Sequence, residues 1–276
     1  MTLPPPEPPP AQPPVGPGYH DPATAQIPPP EEPTGRRGDP LTMALVALIV
    51  VAVVIAALLG GELYARHKAN TIVAGAVSCV VQDSASASFG LRPFLLQHFT
   101  HSYRDMVVET SGNQIREAKG MKLRLRLDDV RINQTAESAG TLGALDADVT
   151  WTADGIKETV QGMIPLLGGL VSGVSTEPSN GTIELQGPLG AVTIAPTIAD
   201  KQLALQVVSV TGLGFTLPSE SVQPALDAFT KALTANLPMG IHAESVGVSD
   251  SGVTARYVTR DATIPNGAQD PCFQGV

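Results

Sequence analysis

Charge and aromatic rings are both scarce in this chain. Charged residues fill 16% of its 276 positions and aromatic residues 4%, with a single tryptophan. Lys and Arg number 17 against 26 Asp and Glu, a formal charge of −9, so no nucleic-acid partner is expected from the bulk electrostatics. Two cysteines, Cys79 and Cys272, are too few for a disulfide-built scaffold, and no Cys-x-x-Cys occurs. There is no phosphate-cradling Gly-rich loop ending in Lys-Ser/Thr, no His-Glu-x-x-His and no Gly-x-Ser-x-Gly elbow. Nothing assembles a nucleophile with a base, so neither catalysis nor a cofactor is expected.

What is abundant lies first at the front. Residues 1–40 hold 15 of the 25 prolines and few aliphatic side chains, the composition of a disordered, partly polyproline II tail. Residues 41–59, LTMALVALIVVAVVIAALL, then run for 19 positions without a charge, and Gly60-Gly61 extends them to the ~20 residues a helix needs to cross a bilayer. The run starts too far into the chain and is too long for a cleaved signal peptide, so it reads as a transmembrane helix over 41–61. Arg36 and Arg37 before it balance Arg66 and Lys68 after it, leaving charge silent on orientation. A single-pass signal-anchor layout favours a cytoplasmic N-terminus and an extracytoplasmic domain over 62–276. The cysteines, at opposite ends of that region, could form a disulfide, with two buried free thiols as the alternative.

Beyond the run, apolar residues recur with a period of two. Strands are expected over 85–90, 103–110, 120–132, 141–151, 182–185, 191–194, 201–210, 241–249 and 252–259. In MKLRLRLDDV, Leu123, Leu125 and Leu127 alternate with Lys122, Arg124 and Arg126, which makes one face greasy and the other cationic, as in an antiparallel sheet with one wet face. The cationic face is either an ordinary solvated surface or a phosphate contact. A helix is expected over 221–237, with Val222, Leu226, Phe229, Leu233 and Leu237 on one stripe, Ser221 as N-cap and Pro224 in the first turn. A shorter helix is expected over 154–161. The uncharged stretch GMIPLLGGLVSGV, residues 162–174, is either a covered core segment or a ligand, partner or membrane contact. His98 and His101 could share a face only on a helix. Residues 97–103 read as a connection between strands, with Asp105 the one nearby third ligand, so no metal site is expected.

Two stretches resemble a known family. FGLRPFLLQHFTHSYRDMVVET is similar to the Pro-Phe-Leu-x-Gln segment of the actinobacterial DUF2993, or LmeA-like, phospholipid-binding proteins. The segment from FTLPSESVQPALDAF to LPMGIHAESVGVSDSGVTARYVTRD resembles that family's C-terminal helix, Leu-Pro-x-Gly-Ile and final hairpin. The family commonly carries a glycine near His101, where this chain departs. The resemblance spans about residues 62–263. It implies an α+β fold with a long helix packed on a highly curved, mainly antiparallel sheet, similar to tubular lipid-binding (TULIP-like) domains, and a place in the cell envelope.

On that reading a phospholipid or glycolipid would lie in an apolar cleft formed by Phe94, Leu95, Leu123, Leu125, Leu127, Leu166, Leu167, Leu170, Phe229 and Leu233. Arg124 and Arg126 would be head-group candidates. Residues 93–99 would form a bulky turn that plugs the cleft or makes its rim. The rival reading is an envelope scaffold whose proline-rich tail recruits a cytoplasmic partner.

Overall fold

The computed structural model describes residues 39–163, 171–234, 237–266 and 272. They divide into two units, Met1–Ala52 and Val53–Val276. In the first, the described residues are the exposed opening turns of helix α1 (Pro40–Val81). Within the second, α1 stays exposed as far as Gly61 and then begins to bury side chains, with Ala76 and Val81 fully covered.

The rest of the second unit alternates strands with short helices. Strand β1 (Ala85–Phe89) leads to helix α2 (Phe94–Thr100), then β2 (Ser102–Tyr103), β3 (Met106–Thr110), the small ribbon of β4 (Gln114–Ile115) and β5 (Ala118–Lys119), and the long strands β6 (Met121–Ile132) and β7 (Ser138–Thr152). Helix α3 (Ala153–Met163) follows, its first turn capped by the Thr152 hydroxyl, which accepts from Gly155 N at 3.1 Å. Strands β8 (Gly173–Glu177), β9 (Thr182–Gly187), β10 (Gly190–Ala199), β11 (Gln202–Gly212) and β12 (Phe215–Leu217), helix α4 (Gln223–Thr234), and strands β13 (His242–Ser249) and β14 (Gly252–Pro265) complete it.

Among the described residues every strand pair is antiparallel, so the fold is α+β with antiparallel sheets. The larger sheet runs β1-β3-β6-β7-β14-β13, with β2 also on β6. The second runs β12-β11-β10-β9-β8. The single wrapped sheet expected from the resemblance is therefore two.

Alternation accounts for the straight part of the larger sheet. Register puts Val108, Leu125, Ala147, Tyr257 and Ala243 in one row, and Met106, Leu127, Leu145 and Thr259 in the next. Both rows share the inner face. Further along, the alternation breaks on three adjacent strands at once. Pairing passes from Asp128↔Ala144 to Val130↔Leu142, and from Arg260↔Ala144 to Ala262↔Leu142, skipping Asp129, Gly143 and Asp261. Asp129 and Asp261 have φ of 52° and 50°, the left-handed region that Asp tolerates better than most residues. A side chain at position 143 would bring its Cβ to 3.0 Å from the Asp129 Cβ, so the glycine gives the two strands a tight approach without displacing Asp129. The shift of phase returns Val130, Leu142 and Ala262 to the inner face, where they pack with Leu145 and Ala147 into one buried cluster.

A second cluster, Ile183, Ile194, Val207 and Val210, lies on the other sheet and is covered by Val222 and Leu226 of the α4 region and by Val248 and Val253 of the β13–β14 hairpin. Helix α4 begins later than the stripe predicts. Ser221 belongs to a separate 3-10 turn, Ser219–Ser221, where its hydroxyl donates to Pro218 O at 2.7 Å and does not cap α4. The Gln223 side chain instead serves β11, donating to Leu205 O at 2.8 Å and accepting from Val207 N at 2.9 Å. The expected strand 103–110 is interrupted at Arg104-Asp105, where Asp105 is left-handed. Residues 93–99, expected as a turn, contain most of helix α2, and His101 closes it at φ 51°, a left-handed conformation that favours glycine.

Two ties hold α1 to this framework. Cys79 is disulfide-bonded to Cys272, with Cα atoms 5.6 Å apart and 193 residues between them. Just beyond α1, the Asp83 carboxylate accepts from Asn113 Nδ2 (2.9 Å), Asn113 N (2.9 Å) and Gly112 N (3.0 Å). The Asn113 side chain leads these contacts in lowering the Asp83 pKa from 3.8 to about 2, against the opposing effect of burial.

Closing so long a loop restricts the unfolded chain, so Cys79→Ser is expected to lower unfolding free energy by about 2–5 kcal/mol in denaturant titration. Asp83 has a pKa depressed on folding, so its contribution is complete above pH 3.8 and is lost as pH falls through about 2. Asp83→Asn is expected to flatten the pH dependence of the thermal midpoint in that window.

Candidate functional site

The apolar rows of the larger sheet form an extended surface that a non-polar ligand could use. Leu123, Leu125, Leu127, Ile241 and Tyr257 pack against the Val130–Leu142–Leu145 cluster yet are only partly buried. Where this face meets the second sheet there is a crevice of about 260 Å³, lined by Lys201, Gln202, Leu203, Leu237, Ile241, Ala243 and Tyr257. Its position follows from local chain chemistry. Asp200 and Lys201 both have positive φ, 50° and 62°, and form the tight two-residue turn between β10 and β11. That turn is fixed to the larger sheet by Ala243 N donating to Lys201 O at 2.9 Å.

The crevice mixes apolar and polar side chains, and its accessible lining is mostly polar. Leu203, Leu237, Ile241 and Ala243 are its apolar members, and burial pushes the Tyr257 phenol pKa above its usual value. Lys201 and Gln202 are exposed, and among the described residues Lys201 has no ion-pair partner. At about 260 Å³ the space lies just under the ~300–1,000 Å³ of typical small-molecule pockets. That is room for part of a hydrocarbon chain, not for a whole diacyl lipid.

The opposite face of the same sheet is a lattice of charge. Arg124 and Arg126 alternate with the inner leucines and therefore point away from them. Arg124 lies 3.8 Å from Glu109, and Arg126 lies 2.8 Å from Asp148. Asp146 accepts from both Arg256 (2.7 Å) and Arg260 (3.0 Å), contacts that, Arg256 foremost, hold its pKa below the ordinary carboxylate range. Such exposed pairs are worth about 0–1 kcal/mol each, so they keep this face soluble more than they stabilise it.

Of the other sequence-predicted residues, Phe94 is buried among Phe89 and Tyr103, with ring centroids at 4.9 and 5.9 Å. Leu95 is its exposed neighbour on α2. Leu166, Leu167 and Leu170 lie outside the described residues, as do the side chains of Phe229 and Leu233. Among the described residues no group of three His, Cys, Asp or Glu is arranged for a metal ion. His98 meets the Tyr103 hydroxyl at 3.0 Å through Nδ1.

The Pro-Phe-Leu-x-Gln motif has a structural explanation. Pro93 starts α2, Phe94 fills the aromatic cluster, and Gln97, 5% exposed, uses both ends of its amide, donating to Arg92 O at 3.1 Å and accepting from Arg104 N at 2.8 Å. A family model described as LmeA-like phospholipid-binding matches residues 56–257. The chain belongs to this family. Uncharacterized proteins of Mycobacterium bovis and of two strains of Mycobacterium tuberculosis are each 54% identical to it over 242 residues, 87% of this chain and 70% of theirs. No solved structure gives a significant match.

The LmeA-like match takes in α2, strands of both sheets and β14 up to Tyr257. Within it, sequence reading missed Lys201, Leu203, Ile241 and Tyr257 as site residues. Ile241 and Tyr257 carried a signal, as apolar members of expected strands. Lys201 carried none, because its place at the crevice depends on the turn docking against Ala243.

Gln97→Leu would leave the Arg104 N–H without its partner, while the Arg92 carbonyl keeps the Arg66 guanidinium at 2.7 Å. A loss of about 1–3 kcal/mol in unfolding free energy is expected, measured by denaturant titration, while Gln97→Glu retains the acceptor and loses less.

Proposed function

We propose that this protein is a single-pass, membrane-anchored lipid-binding protein of the cell envelope, with residues 41–61 in the plasma membrane and residues 62–276 as the lipid-binding domain outside it. The observation that carries the reading is a partly covered, largely apolar sheet face in a member of a phospholipid-binding family. The crevice beside Ile241 and Tyr257 takes the end of an acyl chain, with the rest of the chain along Leu123, Leu125 and Leu127. Lys201 is an exposed member of the crevice lining, where an ammonium group suits the phosphate of a phospholipid or of a glycolipid with a phosphodiacyl anchor. Binding and transfer or presentation of the lipid, not catalysis, is the proposed role.

Helix α1 is long and apolar enough to cross a bilayer. The Cys79–Cys272 disulfide supports the outward placement of the domain, because such bonds persist in oxidising compartments. A TULIP-like arrangement is in keeping with antiparallel strands that bend together at Asp129, Gly143 and Asp261.

The test uses full-length protein in nanodiscs containing phosphatidylglycerol or phosphatidylcholine with a photoreactive acyl chain. Labelled peptides are expected to include Leu203, Ile241 or Tyr257, and Ile241→Asp should remove that labelling. Lys201→Glu should weaken capture of phosphatidylglycerol on the order of ten-fold, the worth of one charge-assisted hydrogen bond, with little change for phosphatidylcholine. Labelling confined to residues 41–61 would sink the proposal.

A further inference from the structure

Helix α2 carries an apolar surface that the fold does not use. Its buried side is complete with Phe94 and Gln97, while Leu95, Leu96 and Phe99 turn outward, with Phe99 84% exposed. Leu91, in the loop just before it, is 99% exposed. Four large apolar side chains gathered on one loop and one short helix form the kind of patch that soluble surfaces avoid.

The position of the patch identifies what covers it. The first N–H groups of α2, those of Phe94 and Leu95, have no cap from their own segment and donate to the Glu62 carboxylate, the second of them at 2.9 Å. Arg66 completes the clamp, bonding Glu62 at 3.3 Å, Arg92 O at 2.7 Å and Phe89 O at 3.3 Å. Leu95 comes against the backbone of Gly61, its Cδ1 lying 3.8 Å from the point where a Cβ would be. The uncharged run, with its two glycines, ends at Gly61. At 1.5 Å per residue the clamp, from Glu62 to Arg66, therefore holds the patch about 2–8 Å along the helix from the end of that run. This distance falls within the head-group layer flanking the ~30 Å hydrocarbon core.

The surroundings have interfacial chemistry. Tyr64, 71% exposed, and Leu63 follow the run on α1, and Lys68 and Arg92 are exposed beside them. Aromatic rings with a polar tip and basic side chains that reach for phosphates are the residues that settle at this depth.

We propose that Leu91, Leu95, Leu96 and Phe99 form a membrane-docking surface that inserts into the interfacial layer of the leaflet where α1 emerges. The Glu62–Arg66 clamp fixes the height of that surface. The proposal rests on reading residues 41–61 as a membrane span. It gives the domain a second hold on the bilayer besides α1, and a second hold limits how the domain can turn about its anchor.

The test uses the full chain with Trp151→Phe, reconstituted in phosphatidylcholine vesicles containing phosphatidylglycerol, with Phe99→Trp as reporter. Folding is checked by circular dichroism, and Leu91→Trp serves as an independent reporter at an almost wholly exposed site. Both tryptophans are expected to emit at short wavelength. Lipids brominated high in the acyl chain should quench them at least about two-fold, as for side chains ~5–10 Å into the head-group boundary. A Val50→Trp reporter in the same background tests the span, and deeply brominated lipids should quench it. If Val50→Trp is quenched while both surface reporters emit as in water, the docking surface is overturned and the span stands. Short-wavelength emission without bromine quenching, the result of burial against a second copy or another protein, overturns it as well. An unquenched Val50→Trp overturns the span and the docking surface together.

Discussion

The architecture depends on a change of phase made by three neighbouring strands at the same level. A strand that alternates strictly can keep only one set of side chains on a given face, and a bend that does not correct the alternation turns apolar residues out to water. Here β6, β7 and β14 each leave one residue unpaired at the same level, Asp129, Gly143 and Asp261, with the register unchanged on either side, and the inward-facing set changes across it. The left-handed backbone of the two aspartates makes the change, the missing side chain at Gly143 lets the strands approach, and Arg131, at 2.9 Å, and Arg104, at 3.8 Å, neutralise Asp129. Leu142, 1% exposed, is the residue most enclosed as a result. Without that correction Val130, Leu142 and Ala262 would face solvent and their cluster would not form.

The same sheet then presents two unlike surfaces. Its outer face is paired charge, with Lys122 and Arg124 on Glu109, Arg126 on Asp148, and Arg256 and Arg260 on Asp146. Its inner face is hydrocarbon, and the crevice lies at its seam with the second sheet. Charges paired across strands are already satisfied and offer little to an incoming phosphate. Lys201, by contrast with Arg124 and Arg126, has no ion-pair partner among the described residues. The arrangement separates charge from hydrocarbon, each carried by its own face of the sheet.

Around the start of the domain, polar groups work as fixings. The Glu62 carboxylate replaces the N-cap that Pro93 cannot supply from its side chain, and Asp83 gathers the N–H groups of a loop that would otherwise need water. The disulfide from Cys79 adds a covalent tie to Cys272. Each of these acts on the segment that follows the apolar run, so the chain is most firmly tied where a membrane anchor would transmit force to the domain.

How much of this is legible from the amino acids alone can be judged residue by residue. Alternation in 121–127 places Leu123, Leu125 and Leu127 opposite Lys122, Arg124 and Arg126, because side-chain direction in a strand is a local property. The uncharged run over 41–59 and the α+β class are readable for the same reason, since helix length and strand period need no distant partner. Helix α2 reads as a turn: its seven residues are too few to show a period, and its N-cap comes from Glu62, 32 residues away from Phe94. The division into two sheets, the shared change of phase and the crevice beside Lys201 are out of reach, because each arises where segments far apart in the chain meet. Local periodicity determined which faces are oily and which are charged; only the tertiary structure decided which oily faces cover one another and which are left open, because that depends on the registers and contacts of strands that no short stretch of sequence contains.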